Sequence, residues 1–189
     1  MTIFTRRNVL AGAAVAAATA AHPGTATAAD ETKDLDAFVA LSSALTGIAA
    51  AMLAPAVDPV QIKKQYFDAA KSSPSFDRLL QIFRDNATKP PEAIADVILN
   101  QSGSDVRYLG RSIMLAWYLG AWYKPETLAQ YNSPKAPAGS PPADRVISPA
   151  AYTQGWTWRV AQAHPMGYSE LRFGYWSEPP LPLVDFTGA

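Results

Sequence analysis

The chain has no cysteine. No disulfide, thiolate nucleophile, iron–sulfur cluster or Cys-ligated zinc can form on it. A covalently attached c-type haem is excluded as well, because C-x-x-C-H is missing. Histidine is nearly as scarce, with only His22 and His164. G-x-G-x-x-G and G-x-x-x-x-G-K-[ST] are both absent, and with them the common nucleotide-binding fingerprints. Lys plus Arg and Asp plus Glu number 16 each. That balance lacks the basic footprint of a nucleic-acid binder, so no nucleic-acid partner is expected.

The N-terminus carries what remains most informative. Thr5-Arg6-Arg7-Asn8-Val9-Leu10 precedes an Ala/Gly-rich apolar run from Ala11 to Ala21, then His22-Pro23-Gly24 and the small-residue site Ala26-Thr27-Ala28. This order predicts a twin-arginine export signal over residues 1–28, with Arg6 and Arg7 as the address. The run is short, mostly alanine and broken by Gly12 and Pro23. A bilayer span needs about 20 strongly apolar residues. Residues 29–189 are then expected as one domain with a sizeable core. They hold 14 Lys/Arg against 16 Asp/Glu, and His164 is their single histidine. A multi-histidine metal site is excluded, so no metal site is expected, and a catalytic triad would have to rest on His164. A lone His beside Pro165 reads first as a structural residue, and no catalytic residue is assigned. The expected compartment is the periplasm.

Apolar spacing predicts a mainly α fold, a single domain of five to six helices with a long extended C-terminal arm rich in Pro and aromatics. Asp30 to Asp34 reads as a mobile charged leader. Phe38, Leu41, Leu45, Ile48 and Met52 then mark one face of a first helix ending at Pro55, with Gly47 signalling close packing or a break. Asp58-Pro59 opens a second helix running to about Lys71, facing inward through Ile62, Tyr66 and Ala69 or Ala70. Ser73-Pro74 opens a third with Phe76, Leu79, Leu80 and Phe83 buried. Pro90-Pro91-Glu92 opens a fourth with Ile94, Val97 and Ile98. The fifth, from about Asp105, carries Val106, Leu109, Ile113 and Ala116. Its later part, Ile113 to Leu119, is apolar nearly all round, as in a central helix covered on every side. Residues 132–148 read as a Pro-rich loop. A further short helix lies within Ile147 to Ala163, interrupted by Gly155, and residues 165–189 read as the extended arm.

Residues 152–176 hold seven of the 20 aromatics among Gly and Pro. They either anchor the chain to its own domain or dock a partner, a favoured role of Trp and Tyr. Arg107 with Arg111, and Asp144 with Arg145, read as solvated pairs. Ser42, Ser43 and Thr46 lack an adjacent base or a nucleophile elbow.

Three segments carry a resemblance. They are Phe38-Val39-Ala40-Leu41-Ser42-Ser43-Ala44-Leu45-Thr46-Gly47, then Ala116-Trp117-Tyr118-Leu119-Gly120, then Ala163-His164-Pro165-Met166-Gly167-Tyr168 with Gly174-Tyr175-Trp176. In order and spacing the chain resembles the small subunit of bacterial membrane-associated FAD-dependent sorbitol, fructose and glucose dehydrogenases, and most closely the sorbitol branch. The resemblance implies a non-catalytic subunit without a cofactor of its own. FAD is implied in a large partner subunit of the glucose–methanol–choline type, and c-type haems in a multi-haem cytochrome c subunit. The small subunit brings the flavoprotein through the export pathway. Trp117, Tyr118, Trp156, Trp158, Tyr175 and Trp176 are the residues expected to serve folding and docking. Two other functions are compatible with the residues: a secreted helical binding or structural protein with no dehydrogenase partner, and a stand-alone secreted enzyme using His164.

Overall fold

The computed structural model describes residues 28–163 together with 184, 187 and 188. Helix α1 spans Ala28–Thr46. It begins upstream of the expected Leu35, so the charged leader is helical. Asp30 and Glu31 fall in its first turn, where carboxylates favour the helix dipole. Glu31 lies 3.4 Å from Lys64 and 3.8 Å from Lys71, and Asp34 pairs with Arg84. The leader is therefore tied to the helices beneath it.

Phe38, Leu41, Leu45 and Ile48 are buried as their spacing predicts. Gly47 then adopts a φ of +72°, a conformation costly to side-chain-bearing residues, and the helix stops there. The chain resumes as the short α2 (Ala50–Leu53). The break rotates the pattern, so Leu53 is buried while Met52 is 38% exposed. Met52 is thus not part of the inward stripe.

Helix α3 covers Ile62–Lys71, starting later than the Asp58-Pro59 signal. Asp58 still serves its first turn, because Asp58 Oδ1 accepts a 3.2 Å hydrogen bond from the Ile62 N–H. Between them Gln61 takes a left-handed φ of 52°. Helix α4 is Phe76–Asn86 and buries Phe76, Leu79, Leu80 and Phe83. Helix α5 starts with Pro91 at its first position and runs to Asp96. It continues as a wider π turn over Val97–Gln101. Ile94 and Ile98 are buried and Val97 half-buried.

Helix α6 (Ser104–Leu119) is the central element. From Val106 to Gly120 no residue is exposed, and over Ile113 to Leu119 this is what the all-round apolar pattern predicts. It packs against α1, α3 and α4 and the later short helices. Edge-on aromatic pairs knit this core: Phe38 with Phe67 at 5.7 Å, Phe67 with Phe76 at 5.5 Å, and Tyr66 with Trp117 at 4.6 Å between ring centroids. Such pairs contribute about 0.5–1.5 kcal/mol each beyond their burial.

The remainder is made of small pieces. Strand β1 (Ala121–Trp122) pairs antiparallel with β2 (Arg145–Val146), with Ala121 opposite Val146 and Trp122 opposite Arg145. Helix α7 (Pro125–Tyr131) lies between them and buries Leu128. Neither the ladder nor α7 was legible in the periodicity. Where one short helix was expected there are two, α8 (Pro149–Thr153) and α9 (Trp156–Val160), meeting at Gly155. The expected arm over 165–189 lies outside the described residues, apart from Val184, Thr187 and Gly188. Thr187 O accepts a 2.8 Å hydrogen bond from the Ala49 N–H. The fold is mainly helical, and no helix among the described residues is long and apolar enough to cross a membrane.

Candidate partner-docking groove

The end of α6 organises the candidate site. Gly120 terminates the helix with a φ of +66°. A Cβ at Gly120 would lie 2.3 Å from the Ala151 carbonyl oxygen, so α8 approaches this backbone as only glycine permits. One turn earlier, Trp117 is 2% exposed and packs edge-on against Tyr66. Tyr118 points elsewhere: its hydroxyl donates a 3.0 Å hydrogen bond to the Thr46 carbonyl, closing the C-terminus of α1. Burial pushes the Tyr118 phenol up from its ordinary range. The Tyr66 phenol is also raised by burial, and it donates to the Ala151 carbonyl at 3.3 Å.

Ser148 pins α8 from the other side. Its hydroxyl accepts from the Ala151 N–H at 3.0 Å and donates to Gln65 Oε1 at 2.7 Å. Helix α9 then inserts Trp156, 3% exposed. Trp158 stays half-buried, with its indole N–H on the Tyr152 carbonyl at 2.7 Å and its ring edge-on to Tyr152.

Between α2 and α9 lies a groove of about 210 Å³, floored by Trp117, Trp156 and Ile62 and edged by Met52, Asp58 and Arg159. The Arg159 guanidinium sits 4.7 Å over the Trp156 ring, a cation–π contact. Two of the lining residues each carry a buried side-chain atom without a hydrogen-bond partner, Trp117 Nε1 and Asp58 Oδ2. Each such orphan costs about 1–3 kcal/mol in a closed protein. Exposed apolar side chains stand close by in sequence: Val57 beside Asp58, 81% exposed, and Val160 beside Arg159, 40% exposed.

Of the residues singled out in the sequence, Trp117 and Trp156 meet in this groove. Tyr118 and Trp158 bind backbone carbonyls instead. Arg6, Arg7, His164, Tyr175 and Trp176 lie outside the described residues. Arg107 is not a solvated side chain. Its Nη2 donates to the Asn100 carbonyl at 3.1 Å and the Ser102 carbonyl at 3.3 Å, closing the π turn, and its Nε is buried without a partner. Arg111 stacks on Tyr108 at 5.1 Å. Asp144 pairs with Lys124 at 2.8 Å as well as with Arg145 at 3.6 Å, linking the loop to the start of α7. Ser42 is fully buried in α1, and the Thr46 hydroxyl donates to the Ser42 carbonyl, so this cluster is part of the helix interior. Periodicity offered no sign of Met52, Asp58 or Arg159 as groove residues; only the exceptional density of aromatics nearby pointed to the region.

Among the described residues no group of His, Cys, Asp and Glu could hold a metal ion. A dinucleotide cofactor such as FAD is commonly held at a Gly-rich strand-to-helix turn of a parallel sheet. Among the described residues the strands are a two-residue antiparallel pair, so that turn is not found there.

A sequence model of the family described as membrane-bound FAD-containing D-sorbitol dehydrogenase matches residues 4–180. The match covers nearly the whole chain, and the chain belongs to that family. Its family description ties it to an FAD-containing dehydrogenase complex acting on sorbitol. No curated protein and no solved structure matches it.

Proposed function

We propose that this chain is the non-catalytic small subunit of a periplasmic FAD-dependent sugar or polyol dehydrogenase. It pairs with a large flavoprotein subunit of the glucose–methanol–choline type, and a multi-haem cytochrome c subunit completes the complex. FAD and haem belong to those partners. Arg6 and Arg7 address the chain to the twin-arginine pathway, and the flavoprotein travels with it. The observation that carries this reading is the groove: two unpaired buried polar groups and exposed apolar neighbours in a chain whose family is defined by an FAD-containing dehydrogenase.

Co-expression tests the pairing. Tagged mature chain is expected to bring down a larger, yellow, flavin-containing protein, and a colourless, partnerless eluate would sink it. Arg6→Lys with Arg7→Lys is expected to hold both proteins in the cytoplasm. A flavoprotein that still reaches the periplasm would refute shared export while leaving the pairing intact.

A further inference from the structure

We infer that Val184, Thr187 and Gly188 form a clasp that sets α2, so that the α2 wall of the groove holds its shape only while the clasp is closed. The clasp is a property of the isolated chain. Only its effect on affinity rests on the pairing proposed above.

Helix α2 has little of its own to hold it. It spans four residues, Ala50–Leu53, and no side chain caps its start. Isolated helices this short are unstable in water. Leu53 is its buried residue, while Ala50, Ala51 and Met52 are exposed. The break at Gly47 also uncouples it from α1. Yet Ala51, Met52 and Leu53 line the groove. A wall made of this helix needs a fastening from elsewhere.

That fastening comes from far along the chain. The Gly188 N–H donates to the Val184 carbonyl at 2.9 Å, closing one helical turn, and Gly188 ends the turn with a φ of +67°. The turn lies on α2. Thr187 is 9% exposed, and its carbonyl accepts the 2.8 Å hydrogen bond from the Ala49 N–H. Ala49 is the residue before α2, and an N–H at that position has no partner within the helix. A Cβ at Gly188 would lie 3.2 Å from Met52 Cγ and 3.3 Å from Ala49 Cβ, so this backbone rests on α2 as closely as glycine allows. Val184 is 53% exposed, which leaves the holding to the backbone and not to its side chain. Released at this end, α2 leaves its place for part of the time. Affinity at the groove then falls in proportion to the time the wall is absent.

Two variants test the clasp. Ala49→Pro removes the N–H that Thr187 receives. The φ of Ala49 is −55°, within the range of proline, so the start of α2 keeps its backbone. In purified mature chain, hydrogen exchange at the Met52, Leu53 and Ala54 amides is expected to be about tenfold faster than in wild type. Affinity for the co-expressed flavoprotein is expected to fall about tenfold. The second variant combines Ala49→Cys with Gly188→Cys. The chain has no other thiol. The two Cβ positions are 3.3 Å apart, a few tenths short of the roughly 3.5–4.5 Å usual in a disulfide. Reduced, it carries a side chain at the left-handed position and is expected to pair about tenfold more weakly than wild type. Oxidised, it holds the clasp shut and is expected to recover wild-type affinity. The stability of a chain already folded does not set its affinity, so this recovery reads the position of α2.

Wild-type exchange at those three amides in folded Ala49→Pro would overturn the clasp. Faster exchange with wild-type affinity would overturn its hold on the groove. If Ala49→Pro does not fold, the cysteine pair decides, and equal affinity in its reduced and oxidised states overturns the inference. A wild-type chain that binds no flavoprotein would refute the subunit reading instead, and exchange in the isolated chain would then decide the clasp alone.

Discussion

The helices up to α6 and the segment that follows Gly120 are held together by different means. In the first region the main helices bury a regular stripe, and adjacent stripes share one aromatic and aliphatic interior. In the second, α7, α8 and α9 span five to seven residues each. Isolated helices below about 12–15 residues are marginal in water. They persist here by burying Leu128, Ala151 and Trp156, and through a few fastenings: the Gly120 turn, the Tyr66 and Ser148 hydrogen bonds, and the two-residue ladder. The first region thus tolerates loss at any one surface contact. The second depends on a few points, and it supplies one wall of the groove through Gln154, Trp156 and Arg159.

Substitutions can break or sharpen that contrast. Phe38→Ala removes a fully buried ring contacting Phe67 and Phe76 and is expected to cost about 4 kcal/mol. Thermal denaturation followed by circular dichroism should show the whole chain melting at a lower temperature, since the second region rests on the first. Gly120→Ala is expected to cost about 3 kcal/mol, combining a left-handed backbone with a 2.3 Å clash. Its effect should be local. Hydrogen exchange should accelerate in α8 and α9 while α4 and α5 stay protected, and equal acceleration everywhere would abolish the distinction.

Tyr118→Phe is expected to cost about 1 kcal/mol, the net worth of one hydrogen bond, read as a small fall in Tm with exchange faster at the end of α1. The weakest effect is expected at Asp105. Burial works against its charge, but hydrogen bonds from Ser75 and the Val106 backbone, with Arg78 beside it, hold its carboxyl below the ordinary range. Because the folded value is depressed, its contribution is present above the unfolded carboxylate pKa and fades as pH falls through the folded one. Asp105→Asn should flatten the acid side of the stability curve slightly, an exposed pair being worth little.

Legibility in the sequence follows the same division. Phe76, Leu79, Leu80 and Phe83 were readable because one face of a helix repeats at fixed spacing, and the later part of α6 because Ile113 to Leu119 is apolar nearly all round. Met52 was misplaced because the break at Gly47 depends on a backbone angle that periodicity does not encode. Asp58 read as a helix start because its cap chemistry is real, yet Gln61 delays the helix and leaves the second carboxylate oxygen free. Helix α7 could have been found from Pro125 followed by Glu126, the same start signal recognised at Pro91. The ladder could not, since two residues per strand leave no alternation to detect. Of the groove, Trp117 and Trp156 were legible as conspicuous aromatics. Their meeting was not, because it depends on α8 lying against Gly120.

The walls of the groove are drawn from residues 51–62, from Trp117 and from residues 154–159. No stretch of nascent chain contains it, and a fragment lacking the last short helix has only one bank. A partner that grips there therefore inspects the result of folding rather than a peptide motif. Under the proposed pairing, recognition would double as proofreading, since a chain that has not closed on itself has nothing to be held by.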